Sequence, residues 1–364
     1  MCFNRILVKS ILLFGLALSM VGCSKAPDPQ DDIPLFDTFI AENIDKVSDD
    51  PYISSTVRPG DKMYDFLVSL QHGSGGKNFL DPLLDNDDPE AMLWEGRLIL
   101  PVMRLRGKAY RLIHGAMQAG NPYAALELSE GSESCRYYFG KNSAGNKLAE
   151  MVGMGASNES GVCSEDNFAL ALKGFEELAK EGDLRAQYFL LKQKSWDQST
   201  ETRAEYIQEI IRFAKAHYYQ PLMDYVGTIL FYSKEENKDI SNTQEQHELA
   251  IKLLTIASNN NYIPAIRKLF LSNNDEQYKK ELENKSLNLG DTEMVVYLFY
   301  EVKKNSTEQY YYNLLFKELT GQYKSTRVKV PNESSKVEAQ AKAFAKTIHS
   351  SVYIDGFTDS GDWH

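Results

Sequence analysis

Three observations predict an all-α fold arranged as an array of helix-turn-helix repeats. Stretches such as NFALALKGFEELAKEG, ETRAEYIQEIIRFAKAH and QEQHELAIKLLTIAS place apolar residues at three- and four-residue steps, the spacing of an amphipathic helix. A turn-forming residue followed four positions later by a small residue or proline recurs through the body of the chain. No stretch alternates apolar and polar residues strongly enough to predict a sheet.

Residues 1–22 form the first element. Arg5 and Lys9 precede SILLFGLALSMVG, an apolar run that ends in small residues, which is the layout of a secretory signal. That run is too short to span a bilayer. The following Met20-Val21-Gly22-Cys23 resembles the bacterial lipoprotein box, with Met20 where Leu is usual. The resemblance implies lipidation of Cys23 and removal of everything before it. At about 0.8 kcal/mol per buried CH₂, two or more acyl chains hold a soluble domain on a membrane essentially permanently. Lipoproteins kept at the inner membrane commonly carry Asp after the cysteine. Ser24 in that place implies transfer to the outer membrane, with the protein facing the periplasm. Residues 23–50 open rich in Pro and Asp and read as a tether between lipid and domain.

Four cysteines are present. Cys2 leaves with the leader and Cys23 is taken by lipid, so an exported chain retains Cys135 and Cys163, most simply as one disulfide. The loop between them is rich in Gly, Asn and Ser, and closing it is worth on the order of 3 kcal/mol. Free thiols are the alternative. Metal binding is disfavoured because neither a CxxC spacing nor a partner His is present.

Residues 51–330 read as the repeat domain. The turn positions are Asp87, Gly120, Gly182, His217, Asn260 and Gly290, with Ala91, Ala124, Ala186, Pro221, Pro264 and Met294 four residues on. Gly or Asn after a helix accepts the left-handed conformation that closes it. Pro near the first helical position loses no hydrogen bond. A small side chain there lets successive helices approach. The turns recur every 30 to 43 residues, except for the 62 between Gly120 and Gly182, where the Cys135–Cys163 insertion lies.

LAKEGDLRAQYFLL, with Ala179, Gly182, Ala186 and Leu190, and the divergent AIKLLTIASNNNYIPAI resemble the SEL-like repeats, tetratricopeptide-related helical hairpins. The resemblance covers about residues 80 to 300. The Gly-rich loop between the two helices of a typical unit is missing or replaced by inserts such as SKEENKDISNTQEQ. It implies a right-handed superhelix with a concave face suited to binding another protein. Residues 331–364 read as a capping helix, NESSKVEAQAKAFAKTIHSS, and an acidic tail.

The sequence carries no chemistry-bearing motif. There is no G-x-S-x-G, no HExxH and no phosphate-binding Gly-rich loop followed by Lys and Ser or Thr. The six histidines have no ligand spacing, and His72-Gly73-Ser74-Gly75-Gly76 reads as a flexible loop. No catalytic residue, metal or cofactor is expected. Forty Lys and Arg against 51 Asp and Glu give a net charge of −11, which argues against a nucleic-acid ligand. Removing the leader takes two basic residues and makes the charge −13.

Aromatic residues point instead to a protein partner. Tyr218, Tyr219, Tyr310, Tyr311 and Tyr312 are the candidate contacts, because adjacent tyrosines cannot all face one side of a helix and Tyr is favoured at interfaces. Exported members of the repeat family serve as adaptors. Some repeat lipoproteins look like immunity proteins that neutralise toxins, phospholipases included, delivered by type VI secretion. The expectation is therefore a lipid-anchored immunity protein acting by stoichiometric binding. An envelope-assembly or stress-signalling adaptor and an unrecognised hydrolase are the alternatives.

Overall fold

The computed structural model describes residues 27–140, 143–153, 162–230 and 243–354. Residues 1–22, read above as a leader, and Cys23 lie outside them. Within them the protein is all helical, with seventeen α-helices and no β-strand, and an isolated bridge between Ser129 and Ser164 is the one trace of extended pairing.

Six helical hairpins organise the chain. They are α3 (Lys77–Leu84) with α4 (Pro89–Ile99), α5 (Arg106–Gln118) with α6 (Pro122–Glu127), and α8 (Glu165–Lys180) with α9 (Leu184–Gln193). Then come α10 (Arg203–Lys215) with α11 (Gln220–Leu230), α12 (Gln244–Asn259) with α13 (Ile263–Ser272), and α14 (Glu276–Asn288) with α15 (Thr292–Glu301). A short helix, α2 (Tyr64–Gln71), precedes the first, and α7 (Ala144–Met151) lies in the disulfide insertion. Helix α16 (Thr307–Thr320) pairs with α17 (Ser334–Ala345) at the end.

One device makes each hairpin. The residue at the turn is left-handed in Asp87, Gly120, Gly182, His217, Asn261 and Gly290. The N–H after it then bonds back to the carbonyl five residues earlier: Asp88 to Leu83 (3.1 Å), Asn121 to Ala116 (3.0 Å), Asp183 to Leu178 (3.0 Å), Tyr218 to Phe213 (3.1 Å), Tyr262 to Ala257 (3.1 Å) and Asp291 to Ser286 (3.2 Å). This is the Schellman closure, which satisfies carbonyls that the helix end leaves over. In four turns the same residue starts the next helix. The side chains of Asp88, Asn121, Asp183 and Asp291 accept N–H bonds from that helix's first turn, a cap worth about 1 kcal/mol each.

Five of the six turn positions fall where the spacing places them. The sixth is Asn261 rather than Asn260, and the small buried residue four on is Ala265 rather than Pro264. Ala91, Ala124, Ala186 and Ala265 have no exposed surface, so each sits where a larger side chain would push two helices apart.

The disulfide joins Cys135 and Cys163, whose Cα atoms are 5.9 Å apart. Asn167 secures the ends of the insertion through its side-chain amide, which donates to the carbonyls of Leu128 (2.7 Å) and Val162 (3.0 Å).

The tether expectation needs correction. Residues 29–43 are not an extended spacer but a helix, α1 (Pro29–Asn43), capped by Asp28 and packed against α10 and α12. Phe36 and Phe39 are buried in the largest core cluster, and the Phe36 ring lies 5.0 Å from that of Tyr225. Asp32 is wholly buried. It accepts from the Arg203 guanidinium (2.6 to 3.1 Å) and from the Tyr225 hydroxyl (2.9 Å). Pro and Asp at the start of this segment are helix-opening residues, and the apolar Phe36 and Phe39 supply the burial that a spacer lacks.

The chain after α1 crosses the turns. Asn259 donates to the Ile44 carbonyl (2.9 Å), and Asn261 donates to those of Ser48 (3.1 Å) and Asp50 (2.9 Å). Nor do residues 331–354 end as a simple polar cap. After α17 the chain returns over Gly290, with His349 N–H bonded to the Asn288 carbonyl (2.9 Å). It then meets the N-terminal region, where the Thr56 N–H donates to the Val352 carbonyl (2.8 Å) and Gln71 to that of Ser351 (2.9 Å). Val352 and Ile354 are buried with Phe66, Leu67, Leu80 and Trp94.

Candidate binding surfaces

Because hairpins reverse the chain at both ends, the array has two edges. The left-handed turns form one, and the links between hairpins form the other. Three cavities follow the turn edge.

The cavity of about 320 Å³ spans the first three turns and opens to solvent. Asp87, Gly120 and Gly182 bring the first turns of α4, α6 and α9 side by side. Trp94, Arg97, Tyr123 and Arg185 line the space between them, with Lys62 and Glu90 at its side. The Arg97 guanidinium lies 5.3 Å over the Trp94 ring and bonds to Glu127 (2.5 Å). The Arg185 guanidinium lies 5.5 Å over the Tyr123 ring and pairs with Asp183 (3.1 Å). Trp94 is itself fixed edge-on to Phe66, ring centroids 5.5 Å apart. Burial pulls the Lys62 ammonium down, but Asp88 (2.7 Å) and Glu90 (3.6 Å) outweigh it and hold its pKa above the ordinary lysine range. The walls are therefore aromatic faces topped by guanidinium groups already held in place. Such surfaces bind at low entropic cost, and Trp, Tyr and Arg are the residues that dominate protein interfaces.

Asp183 and Arg185 also line a cavity of about 240 Å³ with Ser54, His217 and Tyr218. A third, about 420 Å³, lies between α1 and the ends of α10 and α12, beside His217 and Tyr219.

The candidate tyrosines take other places than a shared surface. Tyr218 and Tyr219 are buried, 9% and 1% exposed, so the reading of both as partner contacts is corrected. The Tyr218 ring packs 5.8 Å from Phe213, and that of Tyr219 5.6 Å from Tyr262. Tyr310 is also buried, bonded to Glu338 (2.9 Å), and burial followed by that carboxylate pushes its pKa up to about 12. Tyr311 and Tyr312 are half-buried, their rings 5.3 Å apart and packed on the main core. Adjacent tyrosines do face different sides of α16, but those sides meet α15 and α17 rather than solvent. Cys135 and Cys163 are brought together, and Cys23 lies outside the described residues.

Trp94, Arg97, Tyr123 and Arg185 escaped the sequence reading because they are 91 residues apart end to end and belong to three hairpins. The turn spacing could have found three of them, since Tyr123 and Arg185 sit at the start of helices that follow a turn and Trp94 lies one helical turn further on. Among the described residues no group of His, Cys, Asp and Glu could hold a metal ion, and no helix is long and apolar enough to cross a membrane. Comparison with family models, curated proteins and solved structures gives no match.

Proposed function

We propose that this chain is a protein-binding helical-repeat lipoprotein, held by lipid on Cys23 at the periplasmic face of the outer membrane, and that it neutralises a toxin by stoichiometric binding. The observation that carries the binding role is the solvent-open cleft walled by Trp94, Arg97, Tyr123 and Arg185. The repeated turns support the repeat reading, since all six hairpins use the same closure and four of them place a buried alanine four residues on. Location and the immunity role rest on the resemblances of residues 20–23 and of the hairpins to their families.

Capture from a solubilised envelope, followed by mass spectrometry, should return one protein at a fixed ratio. Arg185→Ala should weaken that complex by tenfold or more, as expected of an interface hot spot worth about 2 kcal/mol. An unchanged affinity would remove the cleft from the reading. Cells lacking the protein should be harmed by a toxin-bearing sibling, and survival would end the immunity role. Cys23→Ser should move the protein from the membrane to the soluble fraction.

A further inference from the structure

The side of the fold formed by the end of α15, by α16 and by the segment that follows it carries a surface of different character. Between residues 303 and 346 there are nine Lys and Arg against four Glu, in a chain whose acids outnumber its bases by eleven. Elsewhere the more buried cations are held by carboxylates, as Arg97 is by Glu127, Arg203 by Asp32 and Arg267 by Asp291. Among the described residues Lys303, Lys304, Lys324, Arg327 and Lys329 form no ion pair, and Lys336 with Glu333 is the region's one pairing.

These cations are interleaved with exposed apolar groups. Tyr300 is 67% exposed, Tyr323 45% and Val330 58%. The Lys324 ammonium lies 5.8 Å over the Tyr300 ring, while that of Lys317 lies 4.5 Å over the Tyr323 ring. The segment after α16 folds back so that the Lys329 N–H reaches the Asn305 side chain (3.2 Å), which joins residues 324–330 to residues 300–305 in one patch. Position adds the second argument. The start of α1 lies on the edge formed by the links between hairpins, where Gln30 meets Thr243 at the start of α12 (2.7 Å) and Asp32 meets Arg203 at the start of α10. Only residues 24–27 separate α1's cap, Asp28, from Cys23.

We infer that this patch, Tyr300, Lys303, Lys304, Tyr323, Lys324, Arg327 and Lys329, docks on the anionic headgroups of a lipid bilayer. Unmatched cations meet phosphate groups, and tyrosine rings enter the headgroup layer with their hydroxyls at water. A lipid on Cys23 fixes the chain to the membrane without orienting the domain, and a basic patch adds the contact that orients it. The location at a membrane rests on the lipid anchor proposed above; the patch itself does not.

The full chain carrying Cys23→Ser separates the two. It should sediment with mixed phosphatidylglycerol–phosphatidylcholine vesicles far more than with pure phosphatidylcholine, and less as salt is raised. Adding Lys303→Gln, Lys304→Gln, Arg327→Gln and Lys329→Gln should weaken binding to the anionic vesicles by roughly fivefold per side chain, about 600-fold together. All four side chains are exposed, so an unchanged melting temperature would verify folding. Equal sedimentation on the two vesicle types, or full retention by the quadruple variant, would overturn the inference and leave an acidic protein surface as the patch's ligand. A Cys23→Ser chain that stays in the membrane fraction of cells and keeps no preference for anionic vesicles would overturn both readings separately.

Discussion

Replacing Asp32 by Ala tests whether α1 is a structural part of the domain. Asp32 is wholly buried and accepts three bonds from the Arg203 guanidinium and one from Tyr225. The substitution leaves Arg203, whose side chain is 13% exposed, without its carboxylate, and the buried Tyr225 hydroxyl without its acceptor. Removing one partner of a buried pair costs about 3 to 5 kcal/mol. Arg203 retains a bond to the Asp197 carbonyl (3.0 Å), which places the cost at the lower end, about 3 kcal/mol. With urea slopes of about 1 to 3 kcal/mol/M, the unfolding midpoint should fall by about 1 M or more. Asp32→Leu combined with Arg203→Leu removes both charges together and should recover most of the loss. A midpoint shift under about 0.3 M, or a double variant no better than Asp32→Ala, would show that α1 contributes little to the fold.

Three further outcomes can be measured. Cys135→Ala with Cys163→Ala should lower stability by on the order of 3 kcal/mol under non-reducing conditions and by nothing under reducing ones, in thermal melts of both proteins. Gly182→Ala and Gly290→Ala should differ although both residues are left-handed: a Cβ at Gly182 meets nothing within 4 Å, whereas at Gly290 it lies 2.8 Å from Ser350 Oγ. The first should cost about 1 kcal/mol and the second clearly more, and equal melting temperatures would refute the close approach of the C-terminal segment. Burial lowers the Lys285 ammonium from its ordinary 10.5 to about 8, so between those values the unfolded chain binds more protons and stability should rise with pH. Lys285→Met should flatten that rise and add about 1 kcal/mol at pH 7, after allowance for the part of the side chain that water reaches, and pH profiles that superimpose would refute it.

What could be read in advance was chemistry that acts locally. A left-handed residue that closes a helix is a local requirement, so Asp87, Gly120, Gly182, His217 and Gly290 were legible, and the pairing of Cys135 with Cys163 followed from their count and the expectation of export. Asn260 and Asn261 offered the same chemistry at adjacent positions, and only the packing of Ala265 decides between them. Residues 29–43 were misread because Pro29, Pro34 and three aspartates dominate their composition, while the burial of Phe36 depends on Tyr225, far along the chain. Tyr218 and Tyr219 looked like contacts because adjacent tyrosines face different sides and Tyr is favoured at interfaces, but both sides prove to be core, Tyr218 against Phe213 and Tyr219 against Tyr262. The cleft around Trp94 exists only once three hairpins are side by side, and no local pattern announces it.

The bond between Thr56 and Val352 fixes how many hairpins the protein can have. An array whose units touch only their neighbours gains or loses a unit at small cost, because everything beyond the change simply shifts along. Here the last segment must return to the first, and one hairpin more or fewer would displace Val352 from Thr56 by about two helix widths, roughly 20 Å. Gaining or losing a hairpin would therefore break this closure, a cost that an open array does not carry. Substitution and insertion in the links leave the closure in place.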